Sequence, residues 1–128
     1  MSDLKPAGES LMLDGVERRL LFDLNVIDEV QEHFDAPLEE IMDRLTDDRK
    51  MPGTMKFVLA ALLNDEADRL KHKDGECSLK RYTEKEAGWL VSKENAYEVT
   101  LAMLNAYGTS LPEPDEDETP NAQSGQQK

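Results

Sequence analysis

Large apolar side chains recur along this chain as far as Leu111 and then stop. Beyond that point stand Pro112, Pro114 and Pro120, a carboxylate run of Glu113, Asp115, Glu116, Asp117 and Glu118, and a polar end at Lys128. Such a segment has no apolar surface to offset the entropy of ordering. The remaining chain is long enough for one domain and too short for two ordinary ones. The expected organisation is a flexible start over residues 1–9, a folded domain over 10–108 and a disordered acidic tail over 109–128.

Charge narrows the classes of function. The 28 acidic and 15 basic side chains give a net charge of −13. The tail supplies five carboxylates against Lys128, a net −4, which leaves −9 on the rest. An acidic surface repels phosphate backbones, so no direct nucleic-acid binding is expected. The short cluster Lys71-His72-Lys73 reads as a solvated helix end. Cys77 is the single cysteine, which excludes an intrachain disulfide and a thiolate-rich zinc site. No basic leader with an apolar run opens the chain, and the longest nearly apolar run, Phe57 to Leu63, is too short to cross a membrane. These features fit a cytoplasmic protein.

The patterning predicts a mainly α fold with an N-terminal β-hairpin. Leu11-Met12-Leu13, Asp14-Gly15 and Val16 to Phe22 form the hairpin signal, because Asp and Gly tolerate the backbone angles of a tight turn. Arg18 interrupts the apolar alternation of the second arm. That arm is either a cover for a small core or a strand edge offered to another copy. Asn25 is the expected cap of a helix carrying Val26, Ile27, Val30 and Phe34. Pro37 fits the first turn of a second helix with Leu38, Ile41, Met42 and Leu45.

Met51-Pro52-Gly53 reads as a loop, followed by a helix over about 55–71 that Thr54 caps. Its apolar face includes Met55, Val58, Leu59, Leu62 and Leu63, with Asp65, Glu66 and Asp68 opposite as a solvated face. Asp74-Gly75-Glu76 ends it. Thr83-Glu84-Lys85-Glu86 is a capping box opening a short helix with Gly88 in its interior. A last helix over about 93–107 places Ala96, Tyr97, Thr100, Leu101, Leu104 and Tyr107 on one stripe, and Gly108 stops it.

Catalytic signatures are weak. Gly15, Gly53, Gly75 and Gly88 are isolated and form no phosphate loop. His33 has Glu29 and Glu32 nearby, but no second histidine segment completes a metal site. Cys77 has no neighbouring histidine to activate it. Neither Asp65-Glu66-Asp68 nor Glu39-Glu40-Asp43 marks a pocket where acid–base groups converge. No catalytic residue, cofactor or metal is expected. Trp89, beside Leu90 and Val91, is read as a core residue first and an interface anchor second.

The order of features resembles a known family. The segments Leu11–Glu17 and Arg19–Phe22 precede the helix near Val26; Met51–Leu63, Tyr82–Ala87 and Ala106-Tyr107-Gly108-Thr109-Ser110-Leu111-Pro112 follow. This succession is similar to the small tail assembly chaperones of long-tailed bacteriophages and their prophage-borne relatives, over most of residues 10–112. The resemblance implies a non-catalytic chaperone in the cytoplasm of the bacterial host. It would bind the tape-measure protein, with other tail components as further partners, and assist tail morphogenesis without becoming a major part of the virion. Some members also have a longer form made by ribosomal frameshifting.

Combined with the patterning, this leaves Trp89, Tyr97, Leu101 and Leu104 as candidate protein-interaction residues, with Leu59, Leu62, Leu63, Leu101 and Leu104 centring the scaffold. Homo-oligomerisation through the hairpin edge is a second expectation. An acidic regulatory adaptor, or an inhibitor of a basic protein, is the alternative function. A small enzyme ranks last.

Overall fold

The computed structural model describes residues 8–110, with side chains through Gly108. The fold is mainly helical, with a two-stranded hairpin at its N-terminal end. Of the expected tail, residues 111–128 lie outside the described residues, as does most of the irregular start, while Thr109 and Ser110 belong to the last helix rather than to the tail. Strand β1 spans Glu9–Leu13 and β2 Val16–Leu20, antiparallel, with Leu13 opposite Val16 and Glu9 opposite Leu20. Asp14 and Gly15 take φ of 52° and 77°, the paired positive angles of a type I′ two-residue loop. Leu11, Leu13 and Leu20 point into the core, so the hairpin is a cover, with β1 against the C-terminal helix and β2 against the long central one.

Helix α1, Leu24–Phe34, is capped by Asp23, whose carboxylate accepts from the Val26 amide at 3.0 Å. Asn25 was the expected cap. Asp23 takes the role two positions earlier because it is extended (φ −87°, ψ 179°) and reaches the third helical amide. Asp35, at φ 52°, reverses the chain. Helix α2, Leu38–Asp43, runs into a 3₁₀ turn over Arg44–Thr46. Pro37 is its extended N-cap rather than a first-turn residue, and the Gln31 side chain supplies the missing cap by accepting from the Leu38 amide at 2.8 Å.

Helix α3 spans Met51–Asp74. The expected Met51-Pro52-Gly53 loop is its first turn. Proline is tolerated there because first-turn amides have no intrahelical acceptor. Thr54 is therefore a buried residue inside the helix, not its cap. Gly75, at φ 85°, closes the helix by donating to the Lys71 carbonyl at 2.8 Å. Met55, Val58, Leu59, Leu62, Leu63 and Ala67 are buried, as are Ala60 and Ala61 beside them. Burial on several sides fits a helix enclosed by α1, β2, the 3₁₀ turn and a later short helix.

Glu66 is the main correction on this helix. It lies 7 % exposed, inside the core, while Asp68 stays at the surface. Arg18 of β2, 2 % exposed, donates to Glu66 Oε1 at 2.7 Å and to the Leu63 carbonyl at 2.9 Å. The Arg19 amide donates to Glu66 Oε2 at 3.0 Å. The interruption of the strand pattern at Arg18 is thus half of a buried ion pair that joins hairpin to α3.

Asn64 ties the next connection down, accepting from the Tyr82 amide at 2.6 Å and donating to its carbonyl at 2.8 Å. Helix α4, Glu84–Leu90, opens with the full capping box: the Thr83 amide donates to Glu86 at 2.9 Å and the Glu86 amide to Thr83 at 3.1 Å. The Thr83 amide holds the Glu86 carboxyl below its ordinary range. Helix α5 spans Ala96–Ser110, starting three residues later than expected and passing through Gly108 without stopping. Among the described residues, no helix is long and apolar enough to cross a membrane.

Candidate functional site

Helix α5 carries more apolar side chains than one packing face can hold. Val99, Ala102, Met103 and Ala106 are buried, at spacings of three and one that mark a single stripe. This is not the face expected to pack. At about 100° per residue, Tyr97, Leu101 and Leu104 fall roughly opposite it. Tyr97 is 79 % exposed, Leu101 44 %, and Leu104 is half-buried. Leu101 is therefore not a scaffold residue, whereas Leu59, Leu62 and Leu63 are.

The outer stripe borders a shallow apolar groove of about 390 Å³. Leu45 and Thr46 of the 3₁₀ turn and Met51 of α3 face Tyr97, Leu101 and Leu104 across it. A second groove of about 320 Å³ adjoins the first, since Met51 and Ala96 line both. Its other walls are Pro52 and Met55 of α3, Gly88 of α4 and Val91 in the following link. Lys56 and Lys93 stand at its margin. Two methionines in one apolar surface give it an adaptable lining.

Local structure holds this surface in place. Asn95 accepts from the Ser92 amide at 2.8 Å and donates to the Leu90 carbonyl at 2.9 Å, fixing the α4–α5 link that carries Val91 and Lys93. The Lys56 stem lies against α4 where Gly88 leaves room; a Cβ there would meet Lys56 Cδ at 3.6 Å.

Three of the four interaction candidates, Tyr97, Leu101 and Leu104, are thus brought together. Trp89 is not among them. It lies 73 % exposed on α4 and lines neither groove. The core role read for it is overturned: α4 is seven residues long, and Ala87 is its buried residue, leaving Trp89 two positions on, on the outer side. Met12, Val16 and Leu24 are also exposed, but they line neither groove. The sequence reading missed Met51 because it placed that residue in a loop, and missed Leu45 and Val91 because each was counted only among the apolar positions of its own segment.

The acid–base candidates resolve differently. Asp65 is not a freely solvated carboxylate. Arg69 Nε sits 3.0 Å from Asp65 and 3.4 Å from Asp23. Burial, then a hydrogen bond with Asp23, pushes the Asp65 carboxyl up to about 6. Burial raises Asp23 as well, but the Asp65 hydrogen bond, the Val26 amide and Arg69 together hold it below its ordinary value. Asp23 is already committed as the α1 cap, which places this cluster in the packing of α1 on α3. His33 stacks on Phe57, with centroids 3.7 Å apart and planes 7° apart. Cys77 accepts from the Leu79 amide at 3.3 Å. Among the described residues no group of three His, Cys, Asp or Glu side chains is placed to hold a metal ion.

Comparison with protein-family models, with curated proteins and with solved structures found no match to this chain.

Proposed function

We propose that this domain is a non-catalytic assembly chaperone that holds an apolar client segment on the outer face of α5. The observation that carries it is the second apolar stripe of α5, with Tyr97 79 % and Leu101 44 % exposed beside a groove formed with Leu45 and Met51. An exposed aromatic and aliphatic row beside a concave apolar surface is the form that helix-in-groove recognition takes. The sequence resemblance supplies the identity of the client: the tape-measure protein of a phage tail, in the cytoplasm of the bacterial host. Binding covers apolar client surface before assembly. The chain's net charge of −13 opposes self-association of the free chaperone, an effect that salt weakens.

The test is co-purification with a tape-measure fragment at physiological salt, with the double variant Tyr97→Asp, Leu101→Asp as the control. The parent is expected to retain the fragment and the variant to lose it, with an unchanged circular dichroism spectrum because both residues are exposed. No retention by the parent, or equal retention by both proteins, refutes the proposal. An acidic adaptor for a basic protein would show a different signature. Its binding would fall steeply between low and physiological salt and would tolerate the two substitutions.

A further inference from the structure

We infer that the segment docked along α5 is apolar over most of its length and carries carboxylates at the end that lies over Lys56 and Lys93. This rests on the α5 face being the docking surface. The full chain has 28 acidic and 15 basic residues, yet the two joined grooves are lined by Lys56 and Lys93 and by no carboxylate. Among the described residues neither lysine is engaged in an ion pair, so both charges are open to a docked group. Two cations without counter-charges, at the rim of an apolar groove on an acidic protein, complement a partner's carboxylates.

Met51 and Pro52, the first turn of helix α3, form part of that groove, but the positive end of this helix is already met by Asp47, whose carboxylate accepts from the Lys50 amide at 3.3 Å, so the positive charge of the surface comes from the two lysines. Distance decides between this local charge and the net charge of the whole chain. At physiological salt, charges more than about 8 Å away are largely screened, so a docked carboxylate is governed mainly by the lysines beside it. From Leu104 back to Ala96 the stripe runs about 12 Å at 1.5 Å per residue. A partner of three or four helical turns would cover it and place its final turn over Lys93.

Two synthetic amphipathic peptides test this, identical in a Leu/Ala stripe and ending in either Glu-Glu or Lys-Lys. They are titrated calorimetrically into the full chain at physiological salt. The Glu-ended peptide is expected to bind about tenfold tighter, although the net charge of the protein alone would favour the other. In the variant Lys56→Glu, Lys93→Glu the preference should reverse. Equal affinities, tighter binding of the Lys-ended peptide, binding of neither, or a preference that survives the charge reversal overturns the inference.

The Tyr97→Asp, Leu101→Asp protein separates the two levels. Equal binding of both peptides that this variant abolishes leaves the docking surface standing and removes only the charge preference. A Glu preference that the variant leaves intact removes the α5 face instead. A mass that rises with concentration in the parent and stays monomeric in the Lys56→Glu, Lys93→Glu variant assigns the groove to a second copy, and overturns the inference.

Discussion

Glu66→Ala would break the polar joint between the hairpin and α3 and leave its other half buried. Arg18 would stay 2 % exposed, losing the 2.7 Å ion pair while its Nη2 still donates to the Leu63 carbonyl at 2.9 Å. The Arg19 amide would lose its 3.0 Å acceptor as well. Removing one member of a buried ion pair costs about 3–5 kcal/mol, because the remaining charge is neither paired nor hydrated. Total stability for a domain of this size is about 5–15 kcal/mol. The loss is therefore a large share of the whole, and at about 4–8 °C per kcal/mol it lowers the melting temperature by at least roughly 12 °C.

The comparison variant is Arg18→Met, Glu66→Leu, which removes both charges and keeps apolar volume. It should cost clearly less than Glu66→Ala, under about 2 kcal/mol, since hydrogen bonds to the Arg19 amide and the Leu63 carbonyl are lost but no charge is left buried. Urea unfolding followed by circular dichroism measures both, with the slope against urea checking that the same surface is exposed in each. A Glu66→Ala loss below about 1 kcal/mol would refute the reasoning, since Arg18 would then have found water without disturbing the hairpin. A double variant as costly as the single would refute it equally.

Two further perturbations address the acid cluster and the hairpin. The folded state holds the Asp65 proton more tightly than the unfolded chain does, because the carboxyl is raised from 3.8 to about 6 by burial and by Asp23. Its contribution is complete below 3.8 and is lost as pH rises through about 6, so the urea midpoint should fall between pH 5 and pH 7. Asp65→Asn should flatten that slope; an unchanged slope assigns it to another group. Gly8→Ala should cost more than about 2 kcal/mol, since Gly8 has φ 85° and an added Cβ would collide with the Leu20 carbonyl. Gly15→Ala, at φ 77° in open space, should cost only about 1 kcal/mol, and equal midpoints for the two would refute the collision.

What was legible in the sequence was local. Asp14-Gly15, Thr83 with Glu86, and Gly75 each act on backbone groups within a few residues, and each does what its chemistry predicts. Local signals also misplaced boundaries. Pro52 and Gly53 look like punctuation, but a proline in the first turn breaks no hydrogen bond, so α3 begins at Met51. The Arg18–Glu66 pair was harder because its partners lie far apart in the chain. A signal existed all the same. Glu66 stands four residues after Leu62 and three after Leu63, on the stripe itself, and Arg18 stands two residues before Leu20, on the inward face of its strand. One acid and one base, each on a buried face of adjoining elements, are a pairing that periodicity allows to be proposed.

The candidate site was half legible for a related reason. Tyr97, Leu101 and Leu104 were visible as a stripe, but α5 contains a second stripe in Val99, Ala102, Met103 and Ala106, and periodicity does not say which one packs. Residue volume and context decide it. The inner stripe has two alanines, which let α5 approach the hairpin and bury Met103 completely. Turning α5 over would bring Tyr97 and Leu101 into that same space, where their bulk would force the helix away from β1. The bulkier Tyr97 and Leu101 are consequently the ones left outside. Folding thus packs α5 through Val99, Ala102, Met103 and Ala106 and leaves Tyr97 and Leu101 exposed, the surface that the proposed client would cover.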